Sequence, residues 1–299
     1  MPVGRIPAFA KVNLSLLILG KRPDGYHELR TIYQTISLHD DLTFRAHRAR
    51  GIHLEIRGNS ALKGEPVERN LVYRAVDTLR RECKSRSGVH ILLEKRIPAG
   101  AGLGGGSSDA AAALIGYARF IRRRIPAPLL MEIAASLGSD VPFFLLGGRA
   151  IGVGRGEEVY SLPDVARRPI LVVFPSGVSV ATKDAYRWLG LRLTKRRNLS
   201  KLLEFCALCW SPRENGLAND FEAAVFARFP RLAAIQRELL QRGATEAALA
   251  GSGSAVFGVF RNPAQARRAA QGFLQDQAFV CETLSKERYR RAMHLRALV

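Results

Sequence analysis

The stretch that most constrains this chain is a cluster of glycines that leads directly into a helix. It covers residues 98–114 and has the sequence P-A-G-A-G-L-G-G-G-S-S-D-A-A-A-A-L. Glycine adopts left-handed backbone torsions and lets a ligand approach without meeting a Cβ, while a helix N-terminus presents unpaired N–H groups. The stretch therefore predicts an anion-binding site, with phosphate as the expected ligand. An alternating apolar strand at residues 88–98 delivers the chain into it.

The net charge of the chain also favours an anionic ligand. Lysine and arginine number 46 against 26 acidic residues, which gives a formal charge of +20. Such a balance is found in nucleic-acid-binding proteins, and a basic module of that class stays open as an alternative. However, the basic residues are scattered and lack interleaved aromatic residues for stacking bases. We interpret them as a solvated surface that attracts a polyanionic small substrate, and we expect no nucleic-acid partner.

Length and hydropathy limit which classes of protein this chain can belong to. With 299 residues, of which 47% are hydrophobic, the chain is long enough for two globular domains. No signal-peptide pattern and no apolar run of ~18 residues is present, so we expect a cytoplasmic protein without a membrane partner. Cys206 and Cys209 form a C-x-x-C pair, but no second pair has zinc spacing.

Three polar positions outside the glycine stretch are candidates for chemistry. Lys11 lies in an otherwise apolar strand at residues 5–21, where a lysine either has a purpose or extends its ammonium from the strand end. A Pro-Asp-Gly turn places His27, beside an aromatic residue, at the mouth of a hairpin, where it could contact a planar ring or simply face solvent. Asp140 lies beside an aromatic cluster that could tune its ionisation, or it caps the helix that follows.

The glycines also contain a weaker pattern. Gly100, Gly102 and Gly105 satisfy G-x-G-x-x-G, which occurs in dinucleotide-binding folds. Those folds carry it in the first strand–helix turn and have an acidic residue ~20 positions later. Here several strands precede it and arginines stand at the later position, so an NADP-binding protein is a minor alternative. The Walker A pattern is absent because Ser107, and not lysine, follows Gly106.

The longer string P-x-x-x-G-L-G-G-G-S-S-x-A resembles the phosphate loop of the small-molecule kinases named for galactokinase, homoserine kinase, mevalonate kinase and phosphomevalonate kinase. Two further motifs of that family occur in the right order, A-K-V-N-L at residues 10–14 and A-G-S-G-S-A at residues 250–255. The strings R-P-D-G-Y-H-E-L, L-G-S-D-V-P-F-F and N-D-F-E resemble the branch that phosphorylates a cytidine diphosphate alcohol in non-mevalonate isoprenoid biosynthesis. A homoserine or mevalonate kinase of the same family is the nearest alternative.

The resemblance implies a fold and a domain division. We expect an α+β protein with the two-domain small-molecule kinase fold and the active site in the cleft between the domains. Residues 1–163 would form the N-terminal ATP-binding domain, which is ribosomal protein S5 domain 2-like. Residues 164–299 would form a C-terminal ferredoxin-like α/β sandwich on the substrate side. The oligomeric state is left open.

The resemblance also assigns roles to residues. It implies ATP as phosphoryl donor with Mg²⁺, Asp140 as general base for a substrate hydroxyl and Lys11 as its electrostatic partner, with Ser108 or Ser107 reaching the metal. The cytidine diphosphate substrate would be held by five residues, which are Asn13, Tyr26, His27, Thr182 and Tyr186. The ATP-binding positions would be Pro98, Ala99, Gly100, Ala101, Gly102, Leu103, Gly104, Gly105, Gly106, Ser107, Ser108, Asn70 and Lys95. Asn70 and Lys95 would lie around the adenine, although Arg69 stands where family members commonly have an acidic residue.

Overall fold

The computed structural model describes residues 3–58, 66–189, 202–203, 205–206 and 217–295. Strands and helices within these ranges are numbered in chain order. The strands are β1 (Val3–Lys21), β2 (His27–His47), β3 (Ile52–Arg57), β4 (Gly88–Glu94), β5 (Arg149–Val153), β6 (Glu158–Ser161), β7 (Pro169–Phe174), β8 (Ala218–Asn219), β9 (Glu246–Leu249), β10 (Val256–Val259) and β11 (Gln277–Glu282). The helices are α1 (Leu71–Glu82), α2 (Gly105–Phe120), α3 (Ala127–Leu137), α4 (Val141–Leu146), α5 (Thr182–Trp188), α6 (Glu222–Arg228), α7 (Pro230–Gln241), α8 (Pro263–Ala270) and α9 (Lys286–Ala292).

The first sheet has seven strands, with the order β3-β4-β2-β1-β8; in addition, β5 pairs with another part of β2, and β6 pairs with β5. Most neighbours are antiparallel, whereas β3 with β4 and β1 with β8 are parallel. Alternate residues of β4, namely Val89, Ile91 and Leu93, are buried in the core that the helices share. This alternation is the pattern that predicts a strand with one face covered.

Helix α2 occupies the centre of that core. Its residues Ala110, Ala111, Ala112 and Ala113 are completely buried, because small side chains allow the sheet and the other helices to approach closely. The helix that begins at Gly105, within the glycine stretch, is therefore tightly packed in the core.

The second sheet is antiparallel, with the order β11-β7-β10-β9. Its strands and the helices between them follow the ferredoxin-like β-α-β-β-α-β order. One face is covered by α6, α7 and α8. The other face, with Ile170, Val172 and Phe257, packs against Ala101 and Leu103 of the glycine stretch. The predicted α+β fold with a ferredoxin-like second part is confirmed. The strand before the glycines, β4, pairs antiparallel with β2, which differs from the parallel sheet of a dinucleotide-binding fold.

The predicted domain division falls between β6 and β7. Two later elements nevertheless belong with the first sheet and its helices: β8 pairs with β1, and Tyr289 on α9 is buried in the core between that sheet and its helices. The division at residues 163 and 164 stays a prediction.

Apolar periodicity in the sequence predicts two strands, at residues 31–38 and 41–46, but the structure has one long strand there, β2. The same pattern predicts a helix at residues 263–275, which ends at Ala270, and it predicts no helix after the last strand, where the structure has α9. A further helix, predicted at residues 199–210, lies almost entirely outside the described residues. Within the described ranges, no helix has the length and hydrophobicity that crossing a membrane requires.

Candidate active site

A cavity of about 1180 Å³ lies between the glycine stretch, the start of α2, the β1–β2 hairpin, α5 and the turn at residues 251–252. All but one of the residues singled out from the sequence line it; the exception is Ser108. The lining residues among them are Lys11, Asn13, Tyr26, His27, Asn70, Lys95, Pro98, Ala99, Gly100, Ala101, Gly102, Leu103, Gly104, Gly105, Gly106, Ser107, Asp140, Thr182 and Tyr186.

The glycine stretch is held in place by close backbone contacts. Gly102 has φ +75°, and a Cβ there would lie 1.9 Å from the carbonyl oxygen of Ala250. The Ala255 amide donates to the Ala101 carbonyl at 3.1 Å, and the Lys11 amide donates to the Leu103 carbonyl at 3.0 Å. The loop is thereby fixed between β1 and the turn before β10, with the N-terminus of α2 at its end. Such a loop presents preorganised N–H groups to an anion.

Lys11 and Asp140 meet in the same cavity, where Lys11 lies directly beside the glycine stretch. Lys11 Nζ lies 3.6 Å from Asp140 Oδ2 and donates to Asn13 Oδ1 at 2.7 Å. Asn13 in turn donates to Thr31 Oγ1 at 2.7 Å. Burial lowers the pKa of Lys11, and the negative charge of Asp140 opposes that effect. Lys11 is only 4% exposed, so its ammonium does not extend into solvent at the strand end.

A register shift in β1 turns Lys11 toward this site. Ile6 and Ala8 face the helices of the first core, and simple alternation would place Ala10 on the same side. The pairing with β2 shifts between Phe9 and Lys11, and Ala10 packs instead against the second sheet. Phe9 pairs with His39 and Lys11 pairs with Thr35, so β2 contains two additional residues at this point and the regular alternation of β1 is interrupted. The Lys11 side chain therefore faces the cavity.

Asp140 occupies the N-cap position of α4, but its side chain makes no capping hydrogen bond. Its carboxylate faces Lys11 and Tyr33, and the Tyr33 hydroxyl donates to Asp140 Oδ1 at 2.9 Å. The capping alternative is therefore wrong. Tyr33 was not predicted from the sequence, because a tyrosine in a buried strand is ordinarily a core residue.

Aromatic rings line the hairpin end of the cavity. His27 stacks on Tyr186 with ring centroids 4.4 Å apart and an interplanar angle of 14°. Burial, with a contribution from the charge of Asp140, raises the pKa of Tyr186 to about 12, and burial lowers the pKa of His27. Tyr26 is half exposed beneath the Arg155 guanidinium, whose carbon lies 4.7 Å from the ring centroid. Thr182 Oγ1 lies 3.0 Å from Ser252 Oγ, which joins α5 to the turn that supports the glycine stretch.

Lys95 lies beneath the start of α2 in a buried group of charges. Its ammonium donates to Asp109 at 2.6 Å and also to Asp40. Burial raises the pKa of Asp109 to about 8, while Lys95 opposes the shift. Asp40 also accepts from the backbone amide of Ile97 at 2.8 Å. Lys95 thus lines the cavity while its ammonium forms ion pairs with Asp40 and Asp109, two residues that the sequence analysis did not single out.

Asn70 and Ser108 occupy different settings. The Asn70 side chain accepts from the Val72 amide at 2.9 Å and caps α1, as its position before an amphipathic helix predicts. Ser108 is completely buried, and its Oγ has no hydrogen-bond partner among the described residues. In that part of the chain no group of three or more histidine, cysteine, aspartate or glutamate side chains is arranged to hold a metal ion.

Two family models match this chain: the GHMP kinases N terminal domain over residues 70–148 and GHMP kinases C terminal over residues 191–277. The chain is 46% identical over 288 residues to the 4-diphosphocytidyl-2-C-methyl-D-erythritol kinase of Solibacter usitatus, covering 95% of this chain and 89% of that protein. It is 40% identical to the enzyme of that name from Pelotomaculum thermopropionicum, covering 93% of this chain and 97% of that protein.

Solved structures give a consistent result. A crystal structure of 4-(cytidine 5'-diphospho)-2C-methyl-D-erythritol kinase superposes with a TM-score of 0.75 at 35% identity, over 94% of this chain and 99% of that chain. The homoserine kinase of Cytophaga hutchinsonii superposes with a TM-score of 0.73 at 18% identity, over 94% and 95% of the two chains. The second similarity concerns the fold alone.

Proposed function

The chain belongs to the GHMP kinases, in the family of the 4-diphosphocytidyl-2-C-methyl-D-erythritol kinases, and we propose that it phosphorylates the 2-hydroxyl of 4-diphosphocytidyl-2-C-methyl-D-erythritol with ATP. This is a step in non-mevalonate isoprenoid precursor biosynthesis. The observation that carries the proposal is that one cavity contains an anion-binding loop, a Lys11–Asp140 pair and a set of aromatic rings.

The glycine stretch is proposed to bind the ATP phosphates. Phosphoryl transfer needs little covalent chemistry from the protein, so catalysis depends on positioning and electrostatic stabilisation. The backbone amides between Gly102 and Ser108 and the dipole of α2 would hold the β- and γ-phosphates. Asn70 and Lys95 line the same cavity and are proposed to lie on the adenine side.

The residues at the start of α2 fit a Mg²⁺ ion that accompanies ATP. Mg²⁺ prefers oxygen ligands and keeps several waters, and it often takes only one or two ligands from the protein. Ser108 Oγ and Asp109 Oδ1 are buried oxygens without a hydrogen-bond partner in the described structure. We propose that Ser108 or Ser107 would reach the ion, which supplies charge neutralisation at the phosphate oxygens.

Asp140 is proposed to accept the proton of the substrate hydroxyl as that oxygen attacks the γ-phosphorus. Lys11 would then offset the negative charge on the transferring group, because its ammonium lies 3.6 Å from the carboxylate and faces the same cavity. Asn13 holds the Lys11 ammonium at 2.7 Å and is proposed to help position the substrate.

The aromatic end of the cavity is proposed to bind the cytidine. Cytosine offers a planar face for stacking and an edge with hydrogen-bond donors and acceptors. Tyr26, His27 and Tyr186 supply rings there, and Thr182 lies at the first position of α5 beside them. A homoserine or mevalonate substrate would leave these rings without a partner.

The three cysteines that the structure describes, Cys83, Cys206 and Cys281, are free thiols. Free thiols are typical of a reducing compartment, and we propose that the enzyme works in the cytoplasm.

A coupled assay of ADP release tests the proposal. The wild-type protein is expected to consume ATP with the cytidyl alcohol and not with homoserine or mevalonate. Asp140→Asn should reduce kcat by about 100-fold or more while KM changes little, because general-base catalysis contributes ~10²–10⁴-fold. Glu132→Gln, which alters an exposed carboxylate on α3, is the matched control and should behave as wild type. Near-normal turnover in Asp140→Asn would refute the assignment of the base, and preference for mevalonate or homoserine would refute the substrate.

A further inference from the structure

The hairpin of β5 and β6 contains glycines that the proposed function leaves unexplained. Residues 147–158 have the sequence G-G-R-A-I-G-V-G-R-G-E-E. A Cβ on Gly152 would lie 2.5 Å from Cε2 of Tyr33, and a Cβ on Gly156 would lie 2.5 Å from the Tyr33 hydroxyl oxygen. Such distances are far inside ordinary van der Waals contact. Glycine at these two positions therefore makes the space that the Tyr33 side chain occupies.

The tyrosine ring is fixed from the other side as well. It stacks on Phe143 of α4 with ring centroids 4.7 Å apart, and the residue is 2% exposed. The hydroxyl lies 2.9 Å from Asp140 Oδ1 and 3.5 Å from the Gly156 carbonyl oxygen. A phenol has one hydrogen to donate, and the shorter contact goes to the carboxylate.

The hydroxyl also remains a donor over the working pH range. Burial, followed by the negative charge of Asp140, raises the pKa of Tyr33 well above its usual value. The phenol therefore keeps its proton at neutral pH. Among the described residues, the charged and titratable groups that act on Asp140 or on the Tyr33 hydroxyl are Lys11 on β1, Tyr186 on α5 and Glu157 in the turn before β6.

The two oxygens of Asp140 consequently differ. Oδ1 accepts from Tyr33, whereas Oδ2 faces the Lys11 ammonium at 3.6 Å, which is longer than a hydrogen bond. We propose that Tyr33 is a positioning residue that fixes the rotation of the Asp140 carboxylate, so that Oδ2 accepts the substrate proton. Gly152 and Gly156 serve to make room for the Tyr33 side chain. This inference rests on the proposed phosphoryl transfer to an alcohol.

Tyr33→Phe removes the hydroxyl and keeps the ring that packs between Phe143 and the glycines. We expect kcat to fall by about tenfold or more, because hydrogen bonds to charged groups are strong, while KM for ATP and for the cytidyl alcohol changes by less than about twofold. Tyr160→Phe removes a hydroxyl from an exposed tyrosine of β6 and is the matched control.

A double-mutant cycle separates this role from simple packing. Because Tyr33 acts through Asp140, the Tyr33→Phe change should lower kcat much less in an Asp140→Asn background than in the wild type. Equal losses of kcat in both backgrounds, or a rise in KM at constant kcat, would each overturn the inference.

A crystal structure of the Tyr33→Phe protein gives a measurement that does not depend on activity. The Asp140 carboxylate should rotate away from its wild-type orientation or adopt several conformers, and an unchanged carboxylate would overturn the inference. Loss of the proposed function is recognised separately, as a wild-type protein that releases no ADP with the cytidyl alcohol.

Discussion

Replacing Gly102 by alanine tests whether the backbone of the glycine stretch positions ATP. A Cβ at this residue would lie 1.9 Å from the Ala250 carbonyl oxygen and 2.8 Å from its carbonyl carbon, and both atoms belong to backbone. Ordinary contacts of this kind begin near ~3.4 Å, so the two segments must separate by about 1.5 Å. A displacement of about 1 Å in a catalytic constellation costs on the order of 100-fold in rate.

The backbone torsion adds a second effect, which a matched variant isolates. Gly102 has φ +75°, and Gly177 has φ +76° with no atom within 4 Å of its Cβ position. Alanine in the left-handed region costs about 1–2 kcal/mol, which corresponds to a fall in Tm of a few degrees, about 2–4 °C per kcal/mol, for a chain of this size. Both variants carry this cost, but only Gly102→Ala also forces the loop away from the turn before β10.

The assay is kcat/KM for ATP, measured by coupled ADP release, together with Tm. We expect Gly177→Ala to retain wild-type kcat/KM at a slightly lower Tm, and Gly102→Ala to lose about 100-fold in kcat/KM. Equal kcat/KM values for the two variants would refute the reasoning, since the steric contact would then have no catalytic consequence.

Two further predictions concern the walls of the cavity. Burial raises the pKa of Asp109 to about 8, so the folded state binds a proton at this carboxyl more readily than the unfolded chain does. Stability should therefore fall as pH rises from about 4 to 8, and Asp109→Asn should reduce that fall. Measurements of Tm across this pH range test this, and an identical slope in the two proteins would contradict it. Tyr186→Ala should raise KM for the cytidyl alcohol by about tenfold, since base–aromatic stacking contributes ~1–3 kcal/mol, and should leave KM for ATP unchanged. A matching rise in KM for ATP, measured by initial-rate kinetics, would count against the proposal that this ring binds the cytidine.

The parts of the site that local sequence encodes were predictable. The glycine stretch, the turn before Tyr26 and the Asn70 cap each depend on residues within a few positions of one another, and each lies where the pattern indicates. Such features follow from backbone torsions and helix ends, which are local properties of the chain.

The parts that depend on distant pairing were not predictable. The direction of Lys11 depends on a register shift with β2 that no residue type in β1 announces. The Lys95 ion pairs join Asp40 and Asp109, which are 55 and 14 positions away. Tyr33 reaches Asp140 across 107 positions. Resemblance to a family supplied Lys11 and Asp140 as a pair, but the residues that hold them depend on the packing of this chain.

The position of α9 has a consequence for the order in which the protein can acquire its active site. The Tyr289 hydroxyl donates to the Phe144 carbonyl, and its ring packs so closely on Gly147 that a Cβ there would lie 1.9 Å away. Both contacts are with α4 and the residue that ends it, and α4 begins directly after Asp140. During synthesis the ribosome releases α9 after every other described element. The first sheet and its other helices can therefore assemble early, but α4, the helix that follows Asp140, gains the support of Tyr289 only after α9 has been synthesised.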